Sequence, residues 1–153
     1  MTMHSLDDHW HYLLAAWEEA QEAPLSLRRA LLVASLADAF ADRLFAAGQE
    51  RDRLAFRERL GEHAPALRTL AALCGGGLEG PRLVHGSVEV PLQAYGELSV
   101  ADFMVSLYND RRVQRVVIAW ADGHEEDAHS VLAEALSALD ALRSVHLDVK
   151  RLS

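Results

Sequence analysis

The chain has 153 residues, half of them hydrophobic and a quarter charged, an ordinary globular composition that excludes a disordered or low-complexity protein. Its 23 acidic and 15 basic residues leave a net charge of −8, and the parts on either side of Gly76 carry −3 (11 acids, 8 bases) and −5 (12 acids, 7 bases), so neither is a basic module and no nucleic-acid partner is expected. A lone cysteine, Cys74, excludes an internal disulfide, and the longest apolar-rich run, residues 30–47, is broken by Ser35, Asp38, Asp42 and Arg43, so no membrane span is expected.

Residues 1–10 are polar and acidic, unlike a signal peptide, which makes the cytoplasm the expected location. A first helix is predicted over residues 6–22: Ser5 and Asp8 form a capping box, and Leu6, Trp10, Leu13, Leu14 and Trp17 share one stripe. Pro24 ends it, and a second helix runs from Ser26 to Gly48. Apolar residues (Leu27, Leu31, Leu32, Leu36, Phe40, Leu44, Phe45) cover most of its circumference, leaving a narrow polar stripe of Arg28, Ser35, Asp38 and Asp42. Such a helix sits at the centre of a bundle or packs against a second subunit. A charged helix over residues 51–60 and another over residues 65–73, opened by Pro65, complete the first half. Gly75, Gly76 and Gly77 then break the chain where the hydrophobic period changes. They divide it into a helical half, residues 1–76, and an α/β half, residues 77–153, which are expected to share one core.

In the second half, residues 83–90 read as a strand closed by Pro91. Ser99, with Asp102 three residues on, caps a helix whose Val100, Phe103, Met104, Leu107 and Tyr108 are expected to form a buried face. Val116, Val117 and Ile118 stand in a row within a strand over residues 113–120, the pattern of a central strand covered on both faces. Asp122-Gly123 turns the chain into an amphipathic helix over residues 125–143. Val145, Leu147 and Val149 then alternate with His146, Asp148 and Lys150 as an edge strand. The expected fold is α+β: an N-terminal bundle of about four helices followed by a small β-α-β-α-β sheet, parallel or mixed, with right-handed crossovers.

Two histidine clusters are candidates for chemistry. On the first helix His4, Asp7 or Asp8, and His11 can share a face, and imidazole with carboxylate at that spacing suits zinc or another divalent ion. The competing reading is a solvated helix face. In Asp122-Gly123-His124-Glu125-Glu126-Asp127-Ala128-His129 the histidines are five apart, so they cannot form the two-histidine helical zinc motif, which needs four. Glu125 and His129 are expected to share a helix face and make a carboxylate–imidazole pair, against the alternative of an acidic helix start favoured by the dipole. The glycines around Cys74 follow no strand and open no helix, which marks a hinge and not a phosphate loop. Arg51, Arg53, Arg57 and Arg59 interleave with Glu50, Asp52, Glu58 and Glu62, as on a solvated helix surface. Asp38 and Asp42, one turn apart, need an arginine from Arg43 or a neighbouring helix.

Pro91-Leu92-Gln93-Ala94-Tyr95-Gly96-Glu97-Leu98, the helix with Asp102, Phe103 and Leu107, Val116-Val117-Ile118-Ala119-Trp120, the helix through Val131 and Leu142 and a final strand together make the second half resemble the barstar family of ribonuclease inhibitors. That resemblance implies an acidic inhibitor or immunity-type protein in which Glu97 and Asp102 mimic RNA phosphates. The asparagine and aspartate expected after Tyr95-Gly96 are missing, and residues 1–80 have no counterpart.

No nucleophile, base and orienting group converge in the sequence, and no cofactor is implied. The first expectation is therefore a non-enzymatic interaction or regulatory protein, a homodimer with Trp10, Trp17, Leu36 and Phe40 at its interface and a possible further protein partner. The alternative is a small metal-dependent or acid/base enzyme, or a ligand-binding domain, using His124, Glu125 and His129 or the His4, Asp7, His11 cluster.

Overall fold

The computed structural model describes residues 5–152, without the side chains of residue 78 and residues 148–152. Four helices come first: α1 (Leu6–Glu22), α2 (Leu27–Ala47), α3 (Arg53–His63) and α4 (Pro65–Gly75). Strand β1 (Arg82–Glu89), helix α5 (Val100–Tyr108), strands β2 (Arg112–Ala119) and β3 (Glu125–Asp127) and helix α6 (Ala128–Leu152) follow, with short 3₁₀ turns at Gly77–Glu79 and Leu92–Glu97. The caps account for several of these boundaries. The Ser5 side chain accepts from the Asp8 amide while Asp8 accepts from the Ser5 amide, so the first turn of α1 satisfies its own orphan donors. Ser26, Asp52 and Ser99 do the same work with one bond each at the starts of α2, α3 and α5.

Helix α2 is the centre of the molecule and touches α1, α3, α4, α6 and β1. Its buried stripe is Ala30, Val33, Ala34, Ala37, Phe40, Ala41 and Leu44. Trp10, Leu13, Ala16 and Ala20 of α1, Leu67 and Leu70 of α4, and Val131, Leu132, Ala135, Leu136 and Leu139 of α6 close around it in one hydrophobic cluster that also holds Val116 and Ile118. That cluster draws residues from both sides of the glycine seam.

The sheet is three-stranded and antiparallel, in the order β1-β2-β3. The expected β-α-β-α-β arrangement is corrected on two points. First, α5 does not carry the chain back for a parallel return. Asp110 and Arg111 both adopt left-handed backbone, with φ of 51° and 65°, and reverse the chain directly after α5. The Val90 amide donates to the Arg111 carbonyl at 2.8 Å, which sets the start of β2 beside the end of β1. Strands joined in that way must run antiparallel. Second, residues 145–149 are not an edge strand, because α6 continues to Leu152. No glycine or proline separates Leu142 from Val149, so nothing stops the helix.

Val116, Val117 and Ile118 are buried, as expected of a central strand, with exposures of 0%, 1% and 1%. Alternation puts Val116 and Ile118 toward the helical core and Val117 on the opposite face, where its cross-strand neighbours are Val84 and Asp127. Gly86, on β1, leaves room for it: a Cβ there would stand 2.7 Å from one Val117 methyl and 3.1 Å from the other. Val117→Asp is expected to bury an unpaired charge beside the Asp127 carboxylate and cost at least about 3–5 kcal/mol, read as loss of the cooperative urea transition. Gly86→Ala is expected to cost about 1–3 kcal/mol by the same assay, because the added methyl would press on the buried, β-branched Val117.

Candidate functional site

The junction of β3 and α6 holds the acidic and histidine residues of the 122–129 segment. Gly123, at φ +90°, lets the chain fold back as a hairpin, closed by a bond from the Trp120 amide to the His124 carbonyl at 2.9 Å. Glu125, Glu126 and Asp127 then pair with Ala119, Ile118 and Val117 of β2 before the helix begins at Ala128. Glu125 and His129 therefore lie in different elements, and the shared helix face expected of them does not exist. The hairpin re-forms strand because its residues find a paired edge at once. Asp127 ends that strand and caps α6, its Oδ2 accepting from the Ser130 amide at 3.3 Å and the Ser130 hydroxyl at 2.7 Å.

The three candidates there have separate surroundings. His124 is exposed and stacks on the Trp120 ring, centroids 6.2 Å apart and 9° from parallel. Trp120 in turn donates from Nε1 to Glu126 at 2.7 Å. Glu125 is exposed at the start of β3. His129 is partly buried against Trp17, with ring centroids 5.6 Å apart, in a groove of about 360 Å³ lined by Trp17, Gln21, Asp127, His129, Ser130 and Ala133. The His129 Nε2 and the Asp127 Oδ1 are both shut off from solvent without a hydrogen-bond partner. Burial holds the His129 imidazole below its ordinary pKa; Asp127 pulls the other way and Arg115 adds to the depression.

In the N-terminal cluster, His4 lies outside the described residues. The Nδ1 of His11 sits 2.9 Å from the Asp7 carbonyl and 3.6 Å from the Asp7 carboxylate, with both side chains about two-thirds exposed. Among the described residues no three His, Cys, Asp or Glu side chains gather in a group that could hold a metal ion.

The four residues expected at an interface divide. Trp10 and Phe40 are 5% and 0% exposed, their rings 5.3 Å apart within the core, and the Arg143 guanidinium covers Trp10 at 4.9 Å. Their area is already used inside one chain. Trp17 and Leu36 pack against the same core and are partly buried.

The exposed apolar surface lies elsewhere. In α5 only Ser106 is buried, while Val100, Phe103, Met104, Val105, Leu107 and Tyr108 are 42% to 83% exposed. The buried face expected for this helix is absent. It touches the sheet chiefly through β2, and its one acid, Asp102, is held by Arg115 at 3.0 Å. Glu97, the other acid that the ribonuclease-inhibitor resemblance singles out, is exposed at the end of the 3₁₀ turn. A groove of about 370 Å³ runs beside α5, lined among others by Val105, Tyr108, Arg112 and Val113. Sequence reasoning missed this surface because α5 is apolar on nearly every side, so periodicity could not tell a buried face from an open one.

Other polar clusters serve the fold. Arg57 pairs with Asp38 and lies 3.7 Å from Asp42, and Arg53 grips both oxygens of Asp42 at 3.0 and 2.9 Å. These α3 arginines neutralise the acid pair of α2, and Arg59 pairs with Glu50. Partial burial first, and Asp38 second, push the Cys74 thiol above its ordinary pKa, away from a reactive thiolate. No helix among the described residues is long and apolar enough to cross a membrane.

The depressed His129 pKa has a pH consequence. Below the unfolded-state pKa of 6.5 the unfolded chain takes up the proton more readily than the folded one, so stability falls as pH drops from about 7 toward 5. His129→Gln is expected to flatten that part of the stability–pH curve relative to the parent, measured by urea midpoints at each pH. No known family, curated protein or solved structure matches this chain.

Proposed function

We propose that this protein is a non-enzymatic interaction protein that works as a homodimer. The observation that carries the reading is α5, a helix that presents six large apolar side chains to solvent. Contiguous apolar patches beyond a few hundred Å² are rare on monomers and mark sites of association. A two-fold dimer, the commonest soluble assembly, covers such a patch with a single contact.

Light scattering coupled to size exclusion at tens of micromolar tests this. A mass of twice 16.9 kDa is the expected result. A mass near 16.9 kDa across the concentration range overturns the homodimer.

A further inference from the structure

From the charge and shape of α5 we infer that the homodimer is seated there: two copies of the helix cross antiparallel about a dyad at Met104. The inference rests on the homodimer reading above and names the surface and the partner, a second copy of this chain.

Area comes first. The six exposed apolar side chains of α5, with Leu92 at 67% exposure just before it, offer on the order of 800 Å², about what each partner of a standard-size interface buries. The other exposed apolar residues are scattered over several elements, such as Tyr12 and Leu14 on α1, Leu31 and Leu32 on α2, and Val145 and Leu147 on α6.

Charge selects the occupant. Two chains of −8 repel, so their contact must be neutral or self-complementary where they meet. Residues 103–109 carry no charge, and Asp102 is already paired with Arg115. The ends of the helix differ in sign. Glu97 is exposed ahead of its N-terminus, whereas Asp110, Arg111 and Arg112 follow its C-terminus with a net positive charge. Arg111 also lies 4.0 Å from Glu89 of its own chain, at the outer limit of an ion pair between two exposed side chains. An antiparallel pair brings Glu97 of each copy to Arg111 of the other, twice by symmetry, and also opposes the two helix dipoles. A parallel pair would set like ends together.

Shape fits the same arrangement. Counting equal steps from Met104, Tyr108 comes level with the mate's Val100, and both lie within about 40° of Met104 around the helix, so the ring lies over a small β-branched side chain. Met104 meets itself, and its flexible thioether adapts to that close approach.

The test uses the full chain in light scattering and sedimentation. Met104→Glu, at a site 49% exposed in the single chain and hence tolerant of a charge, sets two carboxylates face to face at the dyad. It is expected to reduce the mass from two chains to one with an unchanged circular dichroism spectrum. Glu97→Arg is expected to raise the dimer dissociation constant at least about tenfold through two like-charge contacts, and adding Arg111→Glu should restore it to near the parent value. As a check that needs no disruption, Met104→Cys in a Cys74→Ser background should oxidise to a disulfide-linked dimer. A dimer that persists in Met104→Glu, or fails to cross-link through position 104, overturns the α5 seat and leaves the homodimer standing. A parent protein that is monomeric throughout overturns both.

Discussion

The packing of α2 is the constraint on which the rest depends. Its buried stripe is built mainly from Ala30, Ala34, Ala37 and Ala41, with Val33, Phe40 and Leu44 filling the gaps. Small side chains allow neighbouring helices to approach closely enough for α1, α4 and α6 to share one core around it. Phe40 is the anchor: fully buried, it takes the Trp10 ring on one side and the His9 ring on another, 5.4 Å away. His9 itself is tied down from its Nε2 to the Leu36 carbonyl at 2.9 Å, so α1 is held to α2 by a polar contact as well as by area. The arginines of α3 complete the collar by neutralising Asp38 and Asp42, the only acids of the central helix.

A second constraint decides what is left outside. The sheet presents one face to this core through Val116 and Ile118, and the other face, with Val117, is covered by the segment that links β1 to β2. The paired left-handed residues Asp110 and Arg111 force that segment to return at the very end of β1. Helix α5 is thereby held across that face by a tight turn, a cap at Ser99 and the Arg115–Asp102 pair. Those tethers are polar and local. The large apolar side chains of α5 stay 42% to 83% exposed, and this ties a backbone reversal to the surface by which two copies would meet.

The junction between β3 and α6 shows how one residue serves two elements. Asp127 closes the strand and caps the longest helix, so its carboxylate is committed on one oxygen and sealed on the other. His129 is held neutral by burial beside it, with Trp17 of α1 across the groove. These contacts bind the first helix to the last and shield Asp127 Oδ1 and His129 Nε2 from solvent, while His124 and Glu125 stay exposed.

Much of the architecture was legible in the sequence for simple reasons. Caps at Ser5, Ser26 and Ser99, the breakers Pro24 and Pro91, and the run Val116-Val117-Ile118 are local signals, and each placed its element within a few residues. Apolar residues on most of the circumference of α2 left a central helix and a subunit contact both open; its central place rests on the stripe through Ala30, Ala34, Ala37 and Ala41, while Leu31 and Leu32 stay exposed. Strand direction was not local: it came from the Val90–Arg111 bond and the hairpin at Gly123, contacts that exist only once the chain has folded. Residues 125–127 carried an acidic helix-start pattern, yet pairing with β2 outweighed it. Residues 145–149 alternated like a strand, yet no breaker stood before them and the helix ran on. The burial of Trp10 and Phe40 and the exposure of α5 were undecided for a related reason. Periodicity tells which residues share a face, whereas only the packed neighbours determine whether that face meets protein or water.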